Sequence, residues 1–283
     1  MSRTVIFADG SILPAIGQGT WYMGEQPATQ RQEVYALQAG LDCGLRLIDT
    51  AEMYADGRAE SVVGLALQQR REQAFLVSKV YPWHAGQADA IEACERSLQR
   101  LQTDHLDLYL LHWRGNIPLE ETLRAMETLQ TQGKILRWGV SNFDVDDMQE
   151  LRAEEGGDRC ATNQVLYHLA SRGIEYDLLP ECQNMAMPVM AYCPLAQAGR
   201  LRRELMQHPV LCDIAQQKGI SVAQLLLAWV IRKEGVLAIP KASSIAHVKE
   251  NAAALTLSLS GDELALINQA FPPPASKLPL DVV

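Results

Sequence analysis

The chain has 283 residues, 48% of them hydrophobic and 21% charged, with a formal net charge of -9. That length carries either two small domains or one large α/β barrel, and the apolar share is enough for a large core. The acidic balance excludes an extended nucleic-acid surface, which needs clustered Lys and Arg, while leaving room for a local basic pocket. The N-terminal MSRTVIFADGS has no long apolar run of the secretory kind. The most apolar window, residues 222–231, is too short to span a bilayer and reads as a buried helix. Six scattered cysteines without a Cys-x-x-Cys pair argue against a disulfide framework or a structural zinc site, so reduced thiols in the cytoplasm are expected.

Residues 5–13 hold two apolar runs around Asp9-Gly10, a dipeptide suited to the positive φ of a hairpin turn. Strand-like runs then occur at 15–19, 45–48, 75–78, 106–111, 137–140, 161–165, 189–192 and 236–239. Between them lie helical patterns at 30–43, 87–101, 119–132 and 144–154, with apolar residues at three- and four-residue steps. Pro118 suits a helix start and Gly133 a helix end. A last helical stretch, 262–270, precedes Phe271-Pro-Pro-Pro274, which cannot continue a helix and is expected to cross the barrel end irregularly. Eight strands alternating with helices predict a (β/α)8 (TIM) barrel with an N-terminal β-hairpin cap and extra helices near the C-terminus. A doubly wound sheet is the structural alternative. No Gly/Ser-rich linker divides the chain, so residues 1–283 are expected to form a single domain.

A barrel keeps its chemistry at the C-terminal ends of its strands. There the sequence places Asp49, Lys79, His112, Ser141-Asn142, Asn163-Gln164, Tyr192 and Lys241. Taken singly, Asp49 reads as a turn cap, Lys79 as a solvated charge and His112 as a satisfied histidine. Taken with Tyr54 they form a chemical set. A phenol of ordinary pKa near ~10 is a poor proton donor at neutral pH, and a buried ammonium beside it is expected to lower that value. Lys79 can supply the ammonium, and Asp49 can keep it charged and spare it the cost of an unpaired buried charge. His112 can then orient a carbonyl oxygen toward Tyr54, a general acid for an oxygen gaining negative charge.

In order, the chain carries Gly17-Gln-Gly-Thr-Trp21, Ile48-Asp-Thr-Ala-Glu-Met-Tyr54, Val77-Ser-Lys79, Leu108-Tyr-Leu-Leu-His112 and Gly139-Val-Ser-Asn-Phe143. Asn163-Gln164, Ala191-Tyr-Cys-Pro-Leu195, Ile239-Pro-Lys241 and Glu250-Asn251 follow. Across nearly its whole length the sequence resembles the aldo-keto reductases, (β/α)8 barrels with an N-terminal hairpin that use NADPH or NADH. The resemblance implies Tyr54 as proton donor, Asp49 and Lys79 as its tuning pair and His112 as the orienting group. It implies that Ser141, Asn142 and Gln164 hold the nicotinamide carboxamide while Tyr192 stacks on the ring. Gly19, Thr20, Trp21, Pro194, Leu195, Ile239, Lys241, His247, Glu250 and Asn251 complete the implied cofactor set. No Gly-x-Gly-x-x-Gly follows a strand, so phosphates are expected near the last two strands instead. Ala242 and His247 depart from the common pattern, in which a serine and a 2′-phosphate-binding arginine stand. His is only partly charged near neutrality, whereas Arg is a permanent fork. NADPH is therefore the expected cofactor, with weaker discrimination against NADH.

Trp21, Tyr22, Met53, Tyr81, Trp83 and Trp113 surround the expected reaction centre, and Trp21, Trp83 and Trp113 are assigned to a small carbonyl substrate. A short tail suggests an open site. The GTWYMGE and IDTAEMYADG stretches resemble a bacterial subgroup with methylglyoxal reductase activity, which implies small aldehydes and 2-oxoaldehydes as substrates. A monomer with no metal, nucleic-acid or membrane partner is expected. Other carbonyls, such as small ketones or sugars, remain alternatives. So do an aldolase-type Schiff base on Lys79, which protonation by Asp49 opposes, and a cofactor-binding regulatory protein on the same scaffold.

Overall fold

Asp9-Gly10 turns the chain as its composition demands: Gly10 sits at φ +85°, and the flanking runs pair antiparallel with Val5 opposite Leu13. The computed structural model describes residues 3–283. The hairpin comprises β1 (Thr4–Ile6) and β2 (Ile12–Pro14). After it come β3 (Gln18–Gly19), α1 (Gln30–Asp42), β4 (Leu47–Asp49), α2 (Arg58–Ala66), β5 (Phe75–Val80) and α3 (Gln87–Leu101). They are followed by β6 (Leu108–Leu111), α4 (Leu119–Thr131), β7 (Trp138–Ser141), α5 (Val145–Ala153), β8 (Asn163–Leu166), α6 (Leu178–Asn184) and β9 (Val189–Tyr192). Next are α7 (Arg200–Met206), α8 (Pro209–Lys218), α9 (Val222–Val230), β10 (Val236–Ala238), α10 (Ile245–Ala253) and α11 (Gly261–Ala270).

Strands β3 to β10 pair parallel in chain order. Parallel bridges Ile16–Ala238 and Gly19–Lys241 join the first strand to the last. At this seam Gly17 N donates to Ala238 O and Ala238 N to Ala15 O, both at 2.8 Å, closing the (β/α)8 barrel. Gly19 is required there, because a Cβ would meet Ile239 O at 2.6 Å. The strands are buried on both faces, which is why they read as nearly continuous apolar runs.

The polar exceptions follow the two-residue alternation of a strand. In β5, Ser78 points outward and donates to Glu60 Oε1 on α2 at 2.6 Å. Its neighbour Lys79 therefore points into the barrel. The hairpin covers the N-terminal end of the barrel: Phe7 packs on Phe75 with ring centroids 5.4 Å apart, and Asp9 and Ser11 engage Arg137 at the start of β7. The apolar window read as a buried helix is α9, started by a Ser221–Gln224 capping box and buried from Leu225 to Val230.

Beyond α11 the chain is irregular, as Pro272 to Pro274 require. Arg172 holds its start through Asn268 Oδ1 at 2.9 Å and the Phe271 carbonyl. Lys277 then reaches Asp144 and Asp177, Ser171 Oγ donates to Asp281 at 2.6 Å, and Val283 lines a cavity at the C-terminal ends of the strands. The short tail thus returns to the C-terminal face, held by these ion pairs and hydrogen bonds, while its residues stay largely exposed.

Candidate active site

Tyr54 opens a short 3-10 turn, residues 54–57, in which Ala55 and Asp56 adopt φ +51° and +54°. This left-handed backbone is costly for residues with a Cβ and persists only where the surroundings impose it. The Tyr54 hydroxyl meets Lys79, which lies near the end of β5. Lys79 Nζ, fully buried, donates to Asp49 Oδ2 at 2.8 Å, Thr50 O at 2.9 Å and Tyr54 Oη at 3.0 Å. From across the barrel Gln164 Nε2 donates to Asp49 Oδ1 at 2.7 Å, so both carboxylate oxygens are committed. His112 stands edge-on to Tyr54, ring centroids 5.9 Å apart. Its Nδ1 is buried with no partner, which leaves Nε2 as the ring nitrogen that can meet a ligand in the cavity.

Burial dominates the electrostatics. It pushes the Tyr54 phenol well above its ordinary value, and the nearby Asp49 charge acts in the same direction. Burial also raises Asp49 against the pull of Lys79, and lowers Lys79 against the pull of Asp49. His112 is held well below 6.5, first by burial and then by Lys79. The expectation of an acidified phenol is therefore corrected: loss of water outweighs the adjacent ammonium, and Tyr54 keeps its proton through neutral pH. Because Lys79 donates to the phenol oxygen, the phenol's own proton is left to point elsewhere. The same Lys79 contact stabilises negative charge on that oxygen once the proton has gone.

These groups lie at the floor of a cavity of about 270 Å³. It is lined by Asp49, Tyr54 and His112, with Lys79 beneath, by Gly19, Thr20 and Trp21 after β3, and by Ser141 and Asn142 at the end of β7. Gln164 of β8, Tyr192, Pro194 and Leu195 at β9, and Ile239 and Lys241 after β10 complete the sequence-predicted lining. Trp113 lines it too. Trp83 does not: it is 58% exposed, stacked on Tyr81 at 4.2 Å and packed against the outside of Trp113, so its place is corrected to the outer rim. His247, Glu250 and Asn251 lie on α10, beyond the cavity lining, with His247 exposed and Asn251 buried. Arg202, Gln197 and Val283 also line the cavity and escaped the sequence reading, since nothing in RLRRE distinguishes an inward arginine from a surface helix.

The donor set suits the nicotinamide end of a dinucleotide. Gln164 spends Nε2 on Asp49 and leaves Oε1 without a partner among the described residues, an acceptor for a carboxamide N–H. Ser141 Oγ donates to Gln164 O at 2.8 Å, fixing the pair. Asn142, at φ +57°, is engaged at both ends: it accepts from Tyr192 OH at 2.8 Å and donates to His112 O at 3.1 Å. Its Oδ1 keeps a second lone pair that can accept from a carboxamide N–H, whereas Nδ2 is spent on His112 O and Ser141 Oγ. Among the described residues no group of three or more His, Cys, Asp or Glu side chains is arranged to hold a metal ion, and no helix is long and apolar enough to cross a membrane.

The profile of the Aldo/keto reductase family matches residues 15–271. Over the full length of both chains, the sequence is 62% identical to Methylglyoxal reductase YeaE of Escherichia coli (strain K12). It is 33% identical to Glyoxal reductase of Bacillus subtilis (strain 168), covering 95% of this chain and 92% of that protein. An aldo/keto reductase from Klebsiella pneumoniae, solved in complex with NADP and acetate, is similar at a TM-score of 0.98 and 64% identity with full coverage of both chains.

Proposed function

We propose a function from one premise, that the chain belongs to the aldo/keto reductase family. It is an NADP-dependent oxidoreductase. Its reaction is the reduction of small aldehydes and 2-oxoaldehydes, methylglyoxal among them, to alcohols: the aldehyde, NADPH and a proton give the alcohol and NADP+. The names of two relatives, a methylglyoxal and a glyoxal reductase, support that substrate class. NADPH, when bound, supplies the hydride to the carbonyl carbon.

The observation that carries the assignment of roles is the 3.0 Å contact between Lys79 Nζ and Tyr54 Oη, with Asp49 closing the other side of the ammonium. Tyr54 gives its proton to the carbonyl oxygen as that oxygen gains charge, an acceptor far more basic than water. Lys79 then stabilises the phenolate left behind, and Asp49 keeps Lys79 paired. A neutral His112 donates to the carbonyl oxygen and orients it. Ser141, Asn142 and Gln164 would hold the carboxamide and Tyr192 face the ring. Lys241 and the Pro194-Leu195 backbone would meet the phosphates, and His247, Glu250 and Asn251 the adenosine end. With His247 in place of an arginine, preference for NADPH over NADH rests chiefly on Lys241. The protein acts as a cytoplasmic monomer on this reading.

Steady-state oxidation of NADPH across a carbonyl panel tests the proposal. Methylglyoxal and small aldehydes should be turned over better than steroid ketones; steroid ketones outperforming them would refute it.

A further inference from the structure

Asp49 is the only carboxylate side chain among the described residues that line the cavity, and it is committed to Lys79 and Gln164. Two cations line the same cavity, Lys241 and Arg202. In a chain of net charge -9, two cations on a cavity whose one lining carboxylate side chain is already paired are unexpected. Val283, the last residue, also lines the cavity, and its carboxylate forms no ion pair with either of them. Lys241 sits at the seam after β10, where the cofactor phosphates are assigned. Arg202 belongs to α7 and needs another explanation.

Arg200, two residues earlier, pairs outward with Glu204 at 2.5 Å. Arg202 and Arg203 pair with no carboxylate among the described residues. Arg202 is half-buried, and it lines a second groove of about 330 Å³ that adjoins the cavity at Ala198 and continues past Arg203. Its charge reaches the Cys193 thiol, drawing it down against burial, and Cys193 in turn lies within electrostatic reach of Tyr54. The one cavity is lined by Tyr54, Cys193 and Arg202, and the adjoining groove continues from Arg202 to Arg203. A guanidinium is a fixed fork that matches a carboxylate.

We propose that Arg202 makes the site selective for carbonyl substrates that carry a carboxylate at the end remote from the reacting carbonyl. This rests on the reductase reading above and narrows its substrate class. The carboxylate takes no part in the chemistry: the aldehyde carbon accepts the hydride, its oxygen accepts the proton, and 4-oxobutanoate becomes 4-hydroxybutanoate while NADPH becomes NADP+. Arg202 binds the far end, and Arg203 extends the same positive field along the groove for longer anions.

The test compares kcat/KM for 4-oxobutanoate with kcat/KM for butanal, a neutral aldehyde of the same length. The wild-type protein should favour the anion. In Arg202→Gln the ratio should fall about tenfold, the size of one charge-assisted contact in a half-exposed site, and Arg202→Lys should restore part of it. The loss should appear mainly in KM and shrink at high salt. A ratio that does not move in Arg202→Gln overturns the proposal. So does a weakened Kd for NADPH with an unmoved ratio, which would give Arg202 to the cofactor phosphates instead. Turnover of methylglyoxal by the wild-type protein separates the two levels. Its presence with an unmoved ratio sinks the charge selectivity alone, and its absence sinks the reductase reading.

Discussion

Replacing Asp49 by Asn removes the carboxylate from a pair whose members are 0% and 2% exposed, while keeping nearly the same shape. Lys79 is left buried with Thr50 O and Tyr54 Oη as its remaining partners. An uncompensated buried charge of this kind costs about 3–5 kcal/mol. The cost has a ceiling, because Lys79 can shed its proton. At pH 7.4, about three units below the ordinary lysine value of ~10.4, doing so costs about 4 kcal/mol. Burial already pushes Lys79 in that direction. With the folded pKa depressed and the unfolded one ordinary, the unfolded chain binds the extra proton across this range, so stability rises with pH until ~10.4. Asp49→Asn should therefore be less stable than wild type by about 3–4 kcal/mol at pH 7.4, and by only about 1 kcal/mol at pH 9.4. Chemical denaturation followed by circular dichroism at the two pH values measures both differences. An equal destabilisation at pH 7.4 and 9.4 would refute the reasoning, since the deficit would then not come from a protonated lysine.

Gly19→Ala should lower stability by about 1–3 kcal/mol, because its Cβ would meet the Ile239 carbonyl at 2.6 Å in the closing seam; an unchanged denaturation midpoint contradicts the seam's role. Lys241→Met should reduce the NADPH-to-NADH ratio of kcat/KM about tenfold, the loss of one fixed charge on a phosphate. A wild-type preference for NADH, or an unmoved ratio in the variant, would show that Lys241 does not read the phosphate. His112, held well below 6.5, stays neutral on the way down from pH 8 to pH 6, so kcat/KM should show no inflection from it there. Below 6.5 the unfolded chain takes up a proton that folded His112 refuses, so stability is lost as pH falls and His112→Gln should lessen that loss. An activity inflection near 6.5 that disappears in His112→Gln would contradict a neutral imidazole.

Strands buried on both faces leave short, largely apolar runs, so all eight were readable to within a few residues, and α3 matches its predicted bounds of 87–101. The strand ends were readable for a related reason: Asp49, Lys79 and His112 are polar interruptions at the close of apolar runs, and the barrel brings them together without further information. Less local features were hidden. The direction of the Tyr54 shift depends on how completely water is excluded, a property of the packed barrel and not of the motif around residue 54. Trp83 and Trp113 look alike in sequence, yet stacking on Tyr81 turns Trp83 to the rim. The return of residues 271–283 depends on Arg172, Lys277 and Ser171 finding partners far away in the chain. Arg202 was concealed among neighbours that face solvent.

The most direct measurement of the proton-donor assignment is NADPH oxidation by Tyr54→Phe with methylglyoxal, alongside NADPH binding and the far-ultraviolet spectrum of the same preparation. The expected result is intact folding, cofactor affinity within a few-fold of wild type, and a kcat reduced by about 10²–10⁴, the contribution of a positioned general acid. A variant that folds, binds NADPH and retains more than a tenth of the wild-type kcat would contradict it.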